Sequence, residues 1–174
     1  MTEILSYESA ERAIKRMAHE ILEKNLGCDN LALVGILDGG RQLALMLAKA
    51  IEQIEGVDVP VGFVDVREKR DDLSFEEKAS VAERSRSQIP FDIQKKSLVL
   101  VDDVLFTGRT VRAAMDVLLE MGRPERIQLA TLVDRGHREL PIRPDFVGKN
   151  IPTSRREKVI VNSLDSRINV ILEK

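Results

Sequence analysis

Residues 97–110, Ser97-Leu-Val-Leu-Val-Asp102-Asp103-Val-Leu-Phe-Thr107-Gly108-Arg109-Thr110, constrain this chain more than any other stretch. Residues 98–101 are branched and apolar without interruption and stop at two carboxylates, as a strand buried on both faces does on leaving a parallel sheet. The acids are therefore expected at the carboxyl end of that strand. Beyond them the apolar period changes: Val111, Ala114, Met115, Leu118 and Leu119 recur at helical spacing, and Gly122 supplies the stop.

The turn between strand and helix has the chemistry of a phosphate cradle. Main-chain N–H groups at a helix N-terminus are unpaired and sit at the positive end of the helix dipole, and Gly108 permits close approach of a ligand. The hydroxyls of Thr107 and Thr110 can donate to phosphate oxygens. Asp102 and Asp103 would repel a phosphate alone, but they suit a ligand that also carries a diol or a bound divalent cation. A sugar phosphate meets both demands. The plainer alternative is that the acids cap a helix and residues 107–110 form an ordinary turn.

Elsewhere strands and helices alternate, which predicts an α/β fold with a central parallel sheet and function at the carboxyl ends of its strands. Ala10, Ala13, Ile14, Met17, Ala18, Ile21 and Leu22 form the apolar stripe of a first helix ending at Gly27, with Lys15, Arg16 and His19 together on another face. Residues 31–36 read as a buried strand and 42–54 as a helix. The intervening Asp38-Gly39-Gly40-Arg41 is a second turn able to wrap a pyrophosphate with main-chain N–H groups. Val57, Val59, Val61 and Phe63 alternate as a third strand ending near Asp65. Residues 67–88 are too charged to fill a core, and a loop of that length predicts a lid over the site. Residues 126–133 form another strand, and 158–161 with 168–172 a C-terminal hairpin.

With 174 residues, 43% of them hydrophobic and 32% charged, the chain suits one globular domain over 1–174, neither disordered nor membrane-spanning. The acid at Glu3 and the absence of a long apolar run predict a cytoplasmic protein, and the lone Cys28 excludes a disulfide framework. The net charge of -2 conceals an imbalance: residues 123–158 hold nine Lys or Arg against five Asp or Glu, a candidate surface for an anionic partner. No Gly-x-Gly-x-x-Gly follows a strand and no Gly-x-x-x-x-Gly-Lys occurs, which disfavours a dinucleotide dehydrogenase and a P-loop kinase.

Val99-Leu-Val-Asp-Asp-Val-Leu-Phe-Thr-Gly-Arg-Thr110 resembles the phosphoribosyl pyrophosphate signature of the type I phosphoribosyltransferases. Leu132-Val-Asp-Arg-Gly-His-Arg-Glu-Leu-Pro-Ile-Arg143, with Val147-Gly-Lys-Asn-Ile-Pro-Thr-Ser154, is similar to the family of bifunctional pyrimidine operon attenuation regulators and uracil phosphoribosyltransferases. The resemblance runs from about residue 11 to the C-terminus and is weakest at 37–42 and 66–88.

The resemblance implies the type I phosphoribosyltransferase fold, with a flexible loop and a small C-terminal hood or hairpin. It implies transfer from phosphoribosyl pyrophosphate to uracil, giving UMP, with Mg2+ held mainly through the substrate rather than in a protein cage. Asp102 and Asp103 would then bind the ribose, Thr107, Gly108, Arg109 and Thr110 the 5'-phosphate, Asp38, Gly39, Gly40 and Arg41 the pyrophosphate, and Arg70 on the lid the departing charge. Uracil would meet Val133 and Asp134.

Pyrimidine-operon messenger RNA is the further implied partner, with Lys15, Arg16, His19, His137, Arg138, Arg143 and Lys149 at matching positions, in a homo-oligomer, either dimer or tetramer. Two departures stand out. The family's pyrophosphate loop typically has a basic or hydroxyl residue and an arginine before its glycine, where this chain has Asp38 and Gly39; and Lys69 stands where a tyrosine is expected. An RNA-binding regulator with weak or no catalysis, and a purine phosphoribosyltransferase without an RNA role, remain alternatives at this level.

Overall fold

The computed structural model describes residues 1–71, 74–82 and 85–174. Its frame follows from two strands whose side chains are apolar on both faces. β2 (Leu31–Ile36) is buried along its whole length, and β4 (Ser97–Leu105) lies beside it in parallel register, Leu33 opposite Val99 and Gly35 opposite Val101. With β3 (Val61–Val64), β5 (Arg126–Asp134) and β6 (Phe146–Asn150) they form a parallel sheet of order β3-β2-β4-β5-β6.

Alternate side chains of this sheet feed two cores. Leu31, Leu33, Val99, Val101, Ala130 and Leu132 pack with helices α1 (Tyr7–Lys24) and α2 (Gly40–Glu55), whereas Ala32, Val34, Ile36, Leu98 and Leu100 pack with α4 (Arg109–Met121). The predicted α1 stripe is buried at all seven positions, and Ser6 caps the helix by accepting from Ser9 N at 3.2 Å. A second, antiparallel sheet of order β1-β8-β7 pairs β1 (Thr2–Leu5) with the C-terminal hairpin of β7 (Lys158–Leu164) and β8 (Arg167–Glu173). Asp165 and Ser166 turn that hairpin with positive φ at both positions, as a two-residue turn matched to strand twist requires.

Several expectations are corrected. β4 does not stop at the acids: it continues to Leu105 because β5 runs on beside it, pairing Asp102 with Thr131 and Leu105 with Asp134. α4 buries Val111, Ala114 and Leu118 as expected, but its inward stripe is rotated to include Ala113 and Val117 and leaves Leu119 58% exposed. The third strand is shorter than its alternation suggested, since Val57 points outward and only residues 61–64 reach β2. α1 ends before Asn25 rather than at Gly27, and α2 begins two residues before 42.

The 67–88 segment contains a 3-10 turn, Arg67–Lys69, and α3 (Phe75–Ala82), and it returns to the sheet where Gln88 bridges Phe63. Asp72, Leu73, Glu83 and Arg84 of the expected lid lie outside the described residues. β1 and β6 were not foreseen, because each offers too few alternating apolar residues to announce itself. Among the described residues no helix is long and apolar enough to cross a membrane.

Candidate active site

The turns at the carboxyl ends of β2, β3, β4 and β5 supply the candidate residues. After β4, Gly108 (φ 92) starts α4 in a left-handed conformation that suits glycine; it offers no side-chain cap, and Arg109 N donates to the Thr107 hydroxyl at 3.3 Å. The carbonyl of Thr107 accepts from Glu139 N at 3.0 Å and Leu140 N at 3.2 Å, fixing the turn against the segment after β5. Residues 104–111, with Arg70, Asp71 and Asp102, line a cavity of about 230 Å3. Arg109 reaches Glu139 at 3.0 Å and also pairs with Asp71, so one guanidinium ties the turn to two flanking segments.

Each acid of β4 accepts a main-chain N–H from the next residue: Asp103 N to Asp102 Oδ1 at 3.0 Å and Val104 N to Asp103 Oδ1 at 2.8 Å. Asp102 is buried, and that burial, reinforced by the charge of Asp103, pushes its carboxyl well above the ordinary range.

The 38–41 turn lies directly on this pair. The Leu37–Asp38 peptide is cis, and a Cβ at Gly39 would lie 2.5 Å from Asp103 Oδ1. Arg41 does not join the turn as a bare cation; its guanidinium stacks over Phe63, 4.5 Å from the ring centre. Asp38 instead meets an arginine that sequence reasoning passed over. Arg86 Nη1 and Nη2 donate to the two Asp38 oxygens at 2.9 and 3.3 Å.

Arg86 N also donates to Asp65 Oδ2 at 3.1 Å, and Arg67 grips the same carboxylate with Nε and Nη2. Burial pushes Asp65 up, but the Arg67 side chain and the N–H groups of Arg67 and Arg86 outweigh it and hold the carboxyl at about 2. Lys69, the second departure, pairs with Glu120 of α4 at 2.5 Å, while Arg112 of α4 donates to its carbonyl at 2.9 Å. Arg70 follows, exposed and lining the cavity.

At the end of β5, Val133 is buried and Asp134 accepts from Arg138 Nη2 at 2.5 Å and from Gly136 N at 3.0 Å. Arg138 also donates to the carbonyls of Ile142 and Phe106, so all its bonds lie within the site's own loops. His137 is turned the same way, its Nε2 2.5 Å from the Thr153 carbonyl and its ring edge-on to Phe106. Arg135, also unforeseen, is buried over Phe106 at 4.1 Å and donates to the carbonyls of Ser154 and Glu157. Its neighbours are distant in sequence, so only the fold reveals it.

The remaining basic positions lie elsewhere. Lys15, Arg16, His19, Arg143 and Lys149 are exposed. Arg16 joins α1 to β6 through the carbonyls of Val147 and Gly148, and Lys149 reaches the Ile4 carbonyl at 3.0 Å. Lys15 and His19 line a wide groove of about 780 Å3 between α1 and α2. His137 and Arg138 are held by side-chain bonds to their own loops, whereas Lys15, Arg16, His19 and Lys149 lie on α1 and β6, with Lys149 opposite Val133 in the sheet. For a metal, the described residues contain no cluster of three or more His, Cys, Asp or Glu suited to hold one. The Asp102–Asp103 pair fits Mg2+ that arrives with a polyphosphate and keeps its other oxygen ligands.

The phosphoribosyl transferase domain family matches residues 1–167. The Bifunctional protein PyrR of Caldicellulosiruptor bescii is 54% identical over 174 residues, 99% of this chain and 94% of that protein, and the PyrR of Geobacter sulfurreducens is 54% identical over 99% and 98%. The crystal structure of Trypanosoma cruzi hypoxanthine phosphoribosyltransferase superposes with a TM-score of 0.72 over 98% of this chain and 95% of that one, at 21% identity, a likeness of fold. The chain belongs to the phosphoribosyl transferase family and, within it, to the bifunctional PyrR proteins.

Proposed function

We propose that this chain transfers the phosphoribosyl group of phosphoribosyl pyrophosphate to uracil, releasing pyrophosphate and UMP, and that it binds pyrimidine-operon messenger RNA as a UMP-responsive attenuation regulator. The observation that carries the transferase reading is the meeting of three parts at one sheet end: the acid pair on β4, the Gly108-started helix after it, and the 38–41 turn packed on Asp103.

In this reading the N–H groups and hydroxyls of residues 107–110 anchor the 5'-phosphate at the positive end of α4. Asp102 and Asp103 hold the two ribose hydroxyls by hydrogen bonds. As the bond from the anomeric carbon to pyrophosphate lengthens, positive charge grows on the ring, and the Asp103 carboxylate stabilises it without forming a bond. The leaving pyrophosphate meets the N–H groups of the 38–41 turn and Arg70. Uracil lies against the backbone at Val133 and Asp134, where Arg138 fixes the Asp134 carboxylate. Mg2+ supplies further neutralisation of the pyrophosphate charge when bound with the substrate. Positioning and charge stabilisation thus do the chemical work.

RNA recognition is assigned to the exposed cations of α1 and β6, Lys15, Arg16, His19 and Lys149, together with Arg143; a homo-oligomer, dimer or tetramer, would multiply that face. His137 and Arg138 hold the neighbouring loop in shape. The residues act as one phosphoribosyltransferase domain over 1–174.

The test is a radiolabelled-uracil assay with phosphoribosyl pyrophosphate and Mg2+, run beside hypoxanthine and guanine. UMP formation is expected. Nucleotide formed only from a purine would replace the uracil reading, and binding of UMP with no turnover on any base would leave the regulator alone.

A further inference from the structure

The pyrophosphate-facing turn of this chain has the wrong charge on its own. It carries Asp38 where a polyphosphate must approach, and its one arginine, Arg41, is stacked on Phe63. Compensation comes from a residue 48 positions away. Arg86 places both terminal nitrogens on the Asp38 carboxylate, and its main chain is fixed from behind by Asp65, a buried acid that Arg67 also holds. We propose that Arg86 is a pyrophosphate-binding cation of this site in addition to Arg70, with Asp38 presenting its guanidinium to the diphosphate of the incoming sugar.

Three observations lead there. The Arg86–Asp38 pair is 48% and 76% exposed at its two ends, and an ion pair so open to water contributes little to stability. The anchoring of Arg86 by N–H to Asp65 nonetheless fixes where the side chain begins, so the open end is aimed rather than loose. Next along the turn, Gly39 is packed so that a Cβ there would lie 2.5 Å from Asp103 Oδ1, so the residue that Arg86 holds adjoins the one set against the acid pair. The planar fork that meets the two oxygens of a carboxylate also meets two oxygens of a phosphate, so Arg86 can pass from Asp38 to the ligand without leaving its place. Asp38 then lies behind a cation shared with the diphosphate, and the repulsion expected of an aspartate beside a polyphosphate is offset.

This inference rests on the transferase reading and names a cation its pyrophosphate subsite uses. The test measures binding of phosphoribosyl pyrophosphate, inorganic pyrophosphate and UMP, each with Mg2+, to the full chain and to Arg86→Ala, Arg86→Lys, Asp38→Ala and the Arg86→Ala/Asp38→Ala double variant. Arg86→Ala is expected to weaken both pyrophosphate-bearing ligands about tenfold or more, the scale of one lost charge-assisted contact, and to leave UMP, which has no pyrophosphate, within about twofold. Arg86→Lys should fall between. Removing Asp38 in the Arg86→Ala background should recover part of the loss by removing an uncompensated negative charge.

Unchanged pyrophosphate affinity in Arg86→Ala would overturn the inference. So would an equal loss of UMP affinity, which would make Arg86 only an anchor for its segment, or a double variant no better than Arg86→Ala alone. Wild-type protein that binds phosphoribosyl pyrophosphate and UMP but forms no product would defeat the transferase reading while these affinities still decide the role of Arg86.

Discussion

Gly40 and Val101 approach so closely that a Cβ on Gly40 would lie 2.1 Å from the Val101 carbonyl oxygen. The obstacle is backbone of the central strand, which cannot swing away as a flexible side chain could. This contact lets α2 begin immediately after β2 and sets the 38–41 turn upon the acid pair. Gly40→Ala should destabilise the fold by about 1–3 kcal/mol, the usual cost of overpacking, and displace the turn from Asp103. Thermal unfolding beside the KM for phosphoribosyl pyrophosphate would check both; an alanine variant with wild-type values of each would remove the close packing from the account of the site.

Asp103 stands against that turn, half-buried, and accepts from the N–H of Val104 at 2.8 Å; the proposed function puts the ribose beside it. Removing a carboxylate poised against developing positive charge should lower kcat by about a hundredfold to a thousandfold. Asp103→Ala is expected to do so while RNA affinity stays near wild type, because the α1–β6 cations belong to other elements. Filter binding of the operon RNA in parallel with the uracil assay reads the two effects separately. Loss of both would mean that the two functions share a site.

Which parts of this arrangement were legible in the sequence follows from how local their causes are. The α1 stripe, the buried β2 run and the glycine turn before α4 are written in neighbouring residues, and the structure has all three where the sequence pattern put them. The end of β4 was not readable, because its last residues are held by β5 rather than by their own apolarity. Arg86 looked like one charge among many in a polar segment; only the return of residues 85–88 along the edge of β3 brings it to Asp38. The contacts of Arg138 were hidden for a related reason: a cation in a basic stretch shows no partners until the fold supplies three acceptors for it within its own loops.

The Asp65 carboxyl gives a pH signature. Its pKa falls from an ordinary 3.8 to about 2 in the folded chain, so the unfolded state binds more protons between those values and stability rises with pH through that window. The contribution is fully present above about pH 4 and is lost as pH falls toward 2, amounting to about 2 kcal/mol at 1.36 kcal/mol per unit. Denaturant unfolding of wild type and Asp65→Asn from pH 2 to 5 should show the wild type losing this extra stability on acidification. Parallel curves would mean that the Arg67 and Arg86 contacts do not favour the ionised form.

Arg138 and Arg143 lie five residues apart and should behave differently when replaced. Arg143 is exposed, so Arg143→Ala should weaken RNA binding at every salt concentration and reduce the slope of log affinity against log salt by nearly one, the result of one fewer phosphate neutralised, with transfer unchanged. Arg138 holds Asp134 at the end of β5 and the carbonyl of Phe106 at the mouth of the phosphate turn. Its removal leaves a largely buried Asp134 carboxylate without its cation and frees the loop after β5, where the proposed function places uracil. Arg138→Ala should therefore raise the KM for uracil and lower thermal stability, and any RNA defect should come without a matching change in salt slope. Titrations at four salt concentrations, with uracil kinetics on the same preparations, separate the cases. A salt slope lowered by Arg138→Ala with uracil kinetics intact would return Arg138 to the RNA face.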